Sequence, residues 1–370
     1  MKLFSILFIS VISIASSAQE VSFRSNSRTI LGTAKEKTAS IGVGDIDGDG
    51  DLDVIAANGR HWPEQNRVFF NNGRGIFTVS HPLASSSETS YATELADFDQ
   101  DGDLDVAVGN DMAPNTIMLN DGYGNFSFGG NFGLDYNPTR NLTVADLDQD
   151  GDADILITNR SKENEICLND GSGIFAKPIG FGASDDSTID VEVADIDGDS
   201  DLDLILANRD GQQNYVYLNG GNLDFSKRIP YGTGTDETRA VAIADVNGDS
   251  YLDIITANIG EANRIYFGNK ELKFAESVEF DTADDGSYSI TTGDLNNDGL
   301  LDIIIANSSA TNAYFINQNN GSEWIKVSLG SQQFSTYDII SADLNNDGLL
   351  DIIESNSDEL NVYHLNTSKN

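Results

Sequence analysis

Short apolar runs recur along the chain, separated by polar and glycine-rich stretches that carry no helical periodicity. Leu104-Asp105-Val106-Ala107-Val108-Gly109 and Leu301-Asp302-Ile303-Ile304-Ile305-Ala306 are typical, being continuous, rich in β-branched residues and followed by asparagine. Runs of that length and composition predict buried strands. A second apolar run precedes each of them, as in Ala240-Val241-Ala242-Ile243-Ala244. A third segment starts at an asparagine, continues as a short strand and turns through glycines to an aromatic residue. It runs from Asn66 to Phe77, Asn115 to Phe126, Asn164 to Phe175, Asn214 to Phe225 and Asn263 to Phe274, with a looser copy from Asn312 to Trp324. Each unit therefore offers four short strands, the content of one propeller blade.

Between the first and second runs lies an acidic phrase of nine residues. Four copies are nearly alike: Asp45-Ile46-Asp47-Gly48-Asp49-Gly50-Asp51-Leu52-Asp53, Asp97-Phe98-Asp99-Gln100-Asp101-Gly102-Asp103-Leu104-Asp105, Asp146-Leu147-Asp148-Gln149-Asp150-Gly151-Asp152-Ala153-Asp154 and Asp195-Ile196-Asp197-Gly198-Asp199-Ser200-Asp201-Leu202-Asp203. Three variants follow: Asp245-Val246-Asn247-Gly248-Asp249-Ser250-Tyr251-Leu252-Asp253, Asp294-Leu295-Asn296-Asn297-Asp298-Gly299-Leu300-Leu301-Asp302 and Asp343-Leu344-Asn345-Asn346-Asp347-Gly348-Leu349-Leu350-Asp351. Successive copies start 52, 49, 49, 50, 49 and 49 residues apart. A period near 50 belongs to solenoids and propellers, and seven copies predict an all-β, seven-bladed β-propeller occupying residues 19–370 as a single domain. The last copy has no room for a fourth strand. Phe23 precedes Asp45 by about the interval that separates Phe77 from Asp97, so the N-terminal strand is expected to complete the last blade and close the ring.

Oxygen donors at alternate positions of a tight loop suit a hard cation of calcium's size. Positions one, three, five and nine offer side-chain oxygens, and position nine is expected to take the bidentate role. Position seven, held by Asp51, Asp103, Asp152, Asp201, Tyr251, Leu300 and Leu349, offers its backbone carbonyl. Without a cation, neighbouring carboxylates repel by about 1 kcal/mol per pair even in water. Up to seven calcium ions, one per repeat, are therefore expected, with calcium preferred over magnesium because the loop is flexible and rich in oxygens. The loops are not EF-hands, because position twelve carries Glu only at Glu354.

These co-registered Asp-x-Asp-x-Asp-Gly-x-x-Asp and Asn-x-Gly-x-Gly-x-Phe motifs resemble the FG-GAP or VCBS repeats of bacterial exported proteins and of integrin α-chain propellers. The resemblance spans residues 19–370 and implies a calcium-stabilised propeller used for adhesion or ligand binding. The phrases depart from the family pattern at Asn247, Asn296, Asn345, Ser200 and Ser250, which implies weaker metal sites in the later loops.

Charge and composition narrow the partners. The formal net charge of −39, from 60 acids against 21 bases, argues against nucleic acid and anionic membranes. A basic start, an apolar run from Leu3 to Ile14 and small residues up to Ala18 predict a secretory signal cleaved near Ala18, hence a secreted or periplasmic protein without a membrane span. Cys167 is the only cysteine, so no disulfide framework is expected.

If the acidic loops share one face of the ring, the residue six before each phrase lies near the channel mouth on the other. Those residues are Ala39, Tyr91, Arg140, Ile189, Arg239, Tyr288 and Tyr337. Arginine forks onto carboxylates and tyrosine offers a rigid amphipathic surface, so Tyr91, Arg140, Arg239, Tyr288 and Tyr337 are the candidate ligand residues, for an extracellular glycan or protein. Three scattered histidines and the absence of any nucleophile or cofactor motif favour a binding module over an enzyme. The alternatives are a polysaccharide lyase working through the same Tyr/Arg set and a purely structural calcium-stiffened scaffold.

Overall fold

A computed structural model describes residues 20–281 and 285–368. The expected export signal lies outside them. Among the described residues there is no helix, and every regular element is a strand.

Five antiparallel sheets of four strands follow one another along the chain. Blade two shows the plan, with Ser90–Ala96 innermost, then Asp105–Asn110, Asn115–Asn120 and Phe126–Phe132 at the rim. The second strand is buried at all six positions in blades one to six, from Asp53–Asn58 to Asp302–Asn307. A strand covered on both faces has no polar side to show, which is why these segments read as unbroken apolar runs.

The sixth sheet has seven strands because blades one and seven are joined. Strand Asp351–Asn366 supplies both the second and third strands of blade seven, turning at Asp358, where φ is 63°. Phe23 and Arg24 pair with Asn366 and Leu365, and Ile30 and Leu31 pair with Val362 and Asn361. The N-terminus thus supplies the outer strand of the last blade, as the spacing predicted.

Hydrophobic clusters lie between blades rather than within them, and there are seven, one for each neighbouring pair. The closing cluster packs Leu31, Ile41, Val54 and Phe69 against Leu344, Ile353, Tyr363 and Leu365. Val21 and Phe23 cover the cluster between blades six and seven. Inner strand Thr336–Ala342 touches both Ser287–Gly293 and Ile30–Gly44, which completes the ring. Cys167 is buried in the cluster between blades two and three, and burial pushes its thiol up to about 12. A thiol so placed is held in its protonated, weakly nucleophilic form.

A polar belt stitches the blades together on the face away from the acidic loops. The residue seven before each phrase is Thr38, Ser90, Thr139, Thr188, Thr238, Ser287 or Thr336, and all are buried. In blade two the Ser90 hydroxyl donates to Asn110 Oδ1 at 2.9 Å and accepts from Asn66 Nδ2 of blade one at 2.9 Å. The same pattern runs from Asn361 of blade seven to Thr38 of blade one at 2.9 Å, across the closure.

Candidate metal loops and channel mouth

Each acidic phrase joins the first and second strands of its blade. Position one folds the loop upon itself, its Oδ2 accepting the amide of position six at 2.8–3.1 Å in all seven copies. Position six is left-handed throughout. Glycine adopts that conformation without steric cost, whereas Ser200 and Ser250 adopt it at φ 78° and 72°. A Cβ at Gly50 or Gly102 would meet nothing within 4 Å, so serine costs backbone strain but no clash. Position five accepts the amide of position seven, for example Asp51 N to Asp49 Oδ1 at 3.0 Å.

Position nine is more deeply committed than the sequence suggested. In every copy it is buried. One oxygen accepts the amide of position two at 2.9–3.2 Å. The other accepts the amide at the end of the third strand at 2.7–2.9 Å. Its first role is therefore to anchor the loop to the blade, and it offers a cation spare lone pairs rather than a free bidentate carboxylate. Burial, only partly offset by those two amides, pushes Asp53, Asp105, Asp154, Asp203 and Asp253 up to about 6, and Asp302 and Asp351 up to about 7.

The first four loops gather three carboxylates with oxygens within 4.8 Å of one another. They are Asp45, Asp47 and Asp53; Asp97, Asp99 and Asp101; Asp146, Asp148 and Asp154; and Asp195, Asp197 and Asp199. Asp47 Oδ1 and Asp146 Oδ1 are buried without a hydrogen-bond partner, an arrangement that costs about 1–3 kcal/mol or more for a charged group. Burial and the adjacent acids raise Asp47, Asp99, Asp148 and Asp197. A cation would relieve each of these costs, so the donor set fits a calcium-type ion.

The last three loops relieve them internally. Asn247 Nδ2 donates to Asp249 at 3.1 Å, Asn296 Nδ2 to Asp298 at 3.0 Å and Asn345 Nδ2 to Asp351 at 3.3 Å. The carboxamide stands where a cation would be most needed.

At Asp51, Asp152 and Asp201 the position-seven side chain is engaged by a neighbouring loop. Asn346 of blade seven donates to Asp51 of blade one at 2.9 Å, Gln100 of blade two to Asp152 of blade three, and Gln149 of blade three to Asp201 of blade four at 3.1 Å. These side chains link neighbouring loops, leaving only the carbonyl for a metal. The asparagine that opens the glycine turn was missed as a functional residue, and it too spans blades. Asn120 Nδ2 donates to Leu104 O of its own loop and to Ile46 O of the preceding one at 2.8 Å. Blade five has Gly268 at the equivalent place.

The channel opens at the other end of the inner strands, about 20 Å from the loops for six residues of strand. Every inner strand carries a register shift there, as between Ser90 and Ala92 or Thr336 and Asp338. The extra residue is the one six before the phrase, and a bulge re-aims its side chain. Tyr91, Arg140, Arg239, Tyr288 and Tyr337 consequently all line one cavity of about 550 Å³, together with Ala39 and Ile189.

These side chains touch one another around most of the mouth. Arg239 lies over the Tyr288 ring at 5.1 Å, and Tyr288 meets Tyr337 edge-on at 4.8 Å. Arg60 covers Tyr337 at 3.8 Å and reaches His61, whose Nδ1 bonds Tyr91 OH at 2.9 Å. Arg140 lies over Tyr91 at 4.4 Å and pairs with Asp111 at 2.8 Å. Arg60 and His61 come from the insertion Arg60-His61-Trp62-Pro63 of blade one, which the sequence places on this face as an exposed loop or a binding rim, without indicating its contacts with Tyr91 and Tyr337.

The FG-GAP-like repeat profile matches residues 45–108, 97–157, 146–206, 195–256, 245–305 and 294–354. No curated protein sequence matches the chain. Among solved structures, BBS1N in complex with ARL6DN, soaked with mercury, is similar at TM-score 0.61 and 14% identity, covering 94% of this chain and 96% of that one. The lead-soaked crystal of the same complex gives 0.61 and 13%, covering 94% and 97%. Together with the interlocking blades and their acidic loops, these matches show that the chain belongs to the FG-GAP-like repeat family and folds as a β-propeller.

Proposed function

We propose that this chain is an exported, calcium-stabilised binding module whose protein partner docks on the channel-mouth face. The bulge repeated in every inner strand carries this assignment, because it turns tyrosine and arginine side chains into one contiguous mouth. Those residue types dominate the energetics of protein interfaces. Around the mouth of blades one to three stand Trp62, Met112, Leu134 and Tyr136, all exposed. His61, Met112 and Tyr136 hold left-handed backbones, a strain that clusters at functional segments. The similar structure BBS1N is seen with a protein partner, ARL6DN.

An extracellular glycan is the competing ligand. A lyase using the same residues has less support, because burial raises Tyr91 and Tyr337, moving both away from the phenolate a base would need.

Co-purification from extracts of the source organism, with calcium held in excess, tests the assignment. Trp62→Ala with Met112→Ala is expected to lose the captured proteins. Tyr123→Ala with Ile174→Ala, exposed on the loop-bearing face, is expected to retain them. Identical capture by both variants would count against docking at the mouth, and elution by free sugar would favour the glycan.

A further inference from the structure

We infer that the channel mouth is a carboxylate receptor, and that Arg60 and Arg239 seat an acidic side chain or C-terminus of the protein partner. This rests on docking at the mouth and adds the chemistry of the group that enters it.

The observation behind it is an imbalance of charge at one place. In a chain with 60 acids and 21 bases, carboxylates are abundant, and the other arginines on this face have found them. Arg140 pairs with Asp111, Arg160 with Asp210, and Arg209 with Asp210 and Glu237. Among the described residues neither Arg60 nor Arg239 forms an ion pair, and the Nε of each is buried without a hydrogen-bond partner, as is that of Arg209, which however has carboxylate oxygens at 3.3 and 4.0 Å. Arg60 spends its other nitrogens on neutral groups, His61 and Ser357.

The acids lining the same cavity do not meet this need. Asp190 is held by Val241 N and Asn141, and Asp338 by Ile41 N and the Ser289 hydroxyl. Burial raises Glu94 to about 8, and burial with the neighbouring Asp190 and Glu94 pushes Glu192 well above its ordinary value, so both resist carrying charge in the lumen.

The two free guanidinium groups bracket the Tyr337–Tyr288 pair from opposite ends. An anion entering between them would meet donors from both sides and ring edges in between. Guanidinium groups bind carboxylates through paired N–H donors. Arg239, Tyr288 and Tyr337 line the cavity of about 550 Å³, with Arg60 stacked on Tyr337, and a volume of that order accommodates a side chain or a chain end. The exposed Trp62 and Met112 around it favour a protein as the bearer of that group.

The test follows the ring signals of Tyr288 and Tyr337 by NMR in calcium-saturated protein, titrated into the tens of millimolar. The probes are N-acetylglutamate N-methylamide and its neutral counterpart N-acetylglutamine N-methylamide, with galacturonate and galactose as the sugar arm. The glutamate probe is expected to shift both rings, and the glutamine probe to bind about tenfold more weakly or not at all. Arg239→Gln and Arg60→Gln should each weaken glutamate binding at least tenfold while leaving the melting temperature within a few degrees of wild type, since neither removes an ion pair, although Arg239 also offsets part of the charge of Asp190 and Asp338 at longer range. Equal response to both amino-acid probes, no response, or unchanged binding in both variants overturns the proposal. A sharp fall in melting temperature in either variant also overturns it, identifying the arginines as a plug of the channel. A response to galacturonate alone overturns the protein source. Loss of capture in the Trp62/Met112 variant, with both arginine variants behaving as wild type, would sink the carboxylate receptor and leave docking at the mouth standing.

Discussion

Stripping divalent cations from the folded protein should lower its melting temperature by about 10–20 °C, and calcium should restore it where magnesium does so only in part. At a hundredfold excess over its dissociation constant an ion contributes about 2.7 kcal/mol per site. Four such loops would contribute on the order of 10 kcal/mol, and at about 2.1 cal/mol/K per residue a chain of this size shifts by roughly 1–2 °C for each kcal/mol. The pH dependence of the metal-free form adds a second expectation. The position-nine aspartates stand near 6 to 7 in the fold, against an ordinary value of 3.8. A carboxylate raised by folding binds its proton more tightly in the native state, so the penalty is absent well below the ordinary value and complete above the raised one. Metal-free protein should therefore be more stable at pH 5 than at pH 8. Calcium needs the deprotonated loops, so the gap between metal-bound and metal-free melting should widen as pH rises. Coincident melting curves with calcium and with chelator across that range would contradict both expectations.

Removing the N-terminal segment should be nearly as damaging, by a different route. A chain beginning at Thr38 loses Phe23 and Leu31, which cover the two clusters beside blade seven. Burial of side chains of this size is worth about 1.5–3 kcal/mol each. It also uncovers the edge Asn361–Asn366, whose partners are Phe23, Arg24, Ile30 and Leu31. An open edge is a template for aggregation. The truncated chain is expected to melt about 5–10 °C lower, at roughly 1–2 °C per kcal/mol in a chain of this size, and to form concentration-dependent aggregates. Leu31→Ala, which leaves the edge paired, should cost about 2–5 kcal/mol without aggregation. Unchanged melting in the truncated chain would mean that the ring does not depend on this strand.

The blade plan was legible because each second strand is buried on both faces, so its sequence has only one reading, and because the acidic phrase marks the same turn in every copy. The channel-mouth residues were legible for the same reason, since a repeat assigns one address to each register position. What the register could not supply is whatever departs from it. Arg60 and His61 sit in the insertion of blade one and have no counterpart elsewhere. That Arg140 is already paired depends on Asp111, which stands one blade away. Position nine looked like another ligand because composition cannot tell an oxygen facing a cavity from one already bonded to two amides. The threonine or serine seven before each phrase was a readable signal of the stitching belt, and its meaning became clear only once neighbouring blades were in contact.

The count of bound calcium ions tests the account most directly. Equilibrium dialysis of metal-stripped protein at neutral pH and physiological ionic strength should give four tight ions per chain, in the loops at Asp45, Asp97, Asp146 and Asp195, with up to three weaker ones. Asp47→Asn should convert the first loop to the chemistry of the last three and lower the tight count by one. Fewer than one ion per chain, or a count that Asp47→Asn leaves unchanged, would contradict the assignment of these loops as calcium sites.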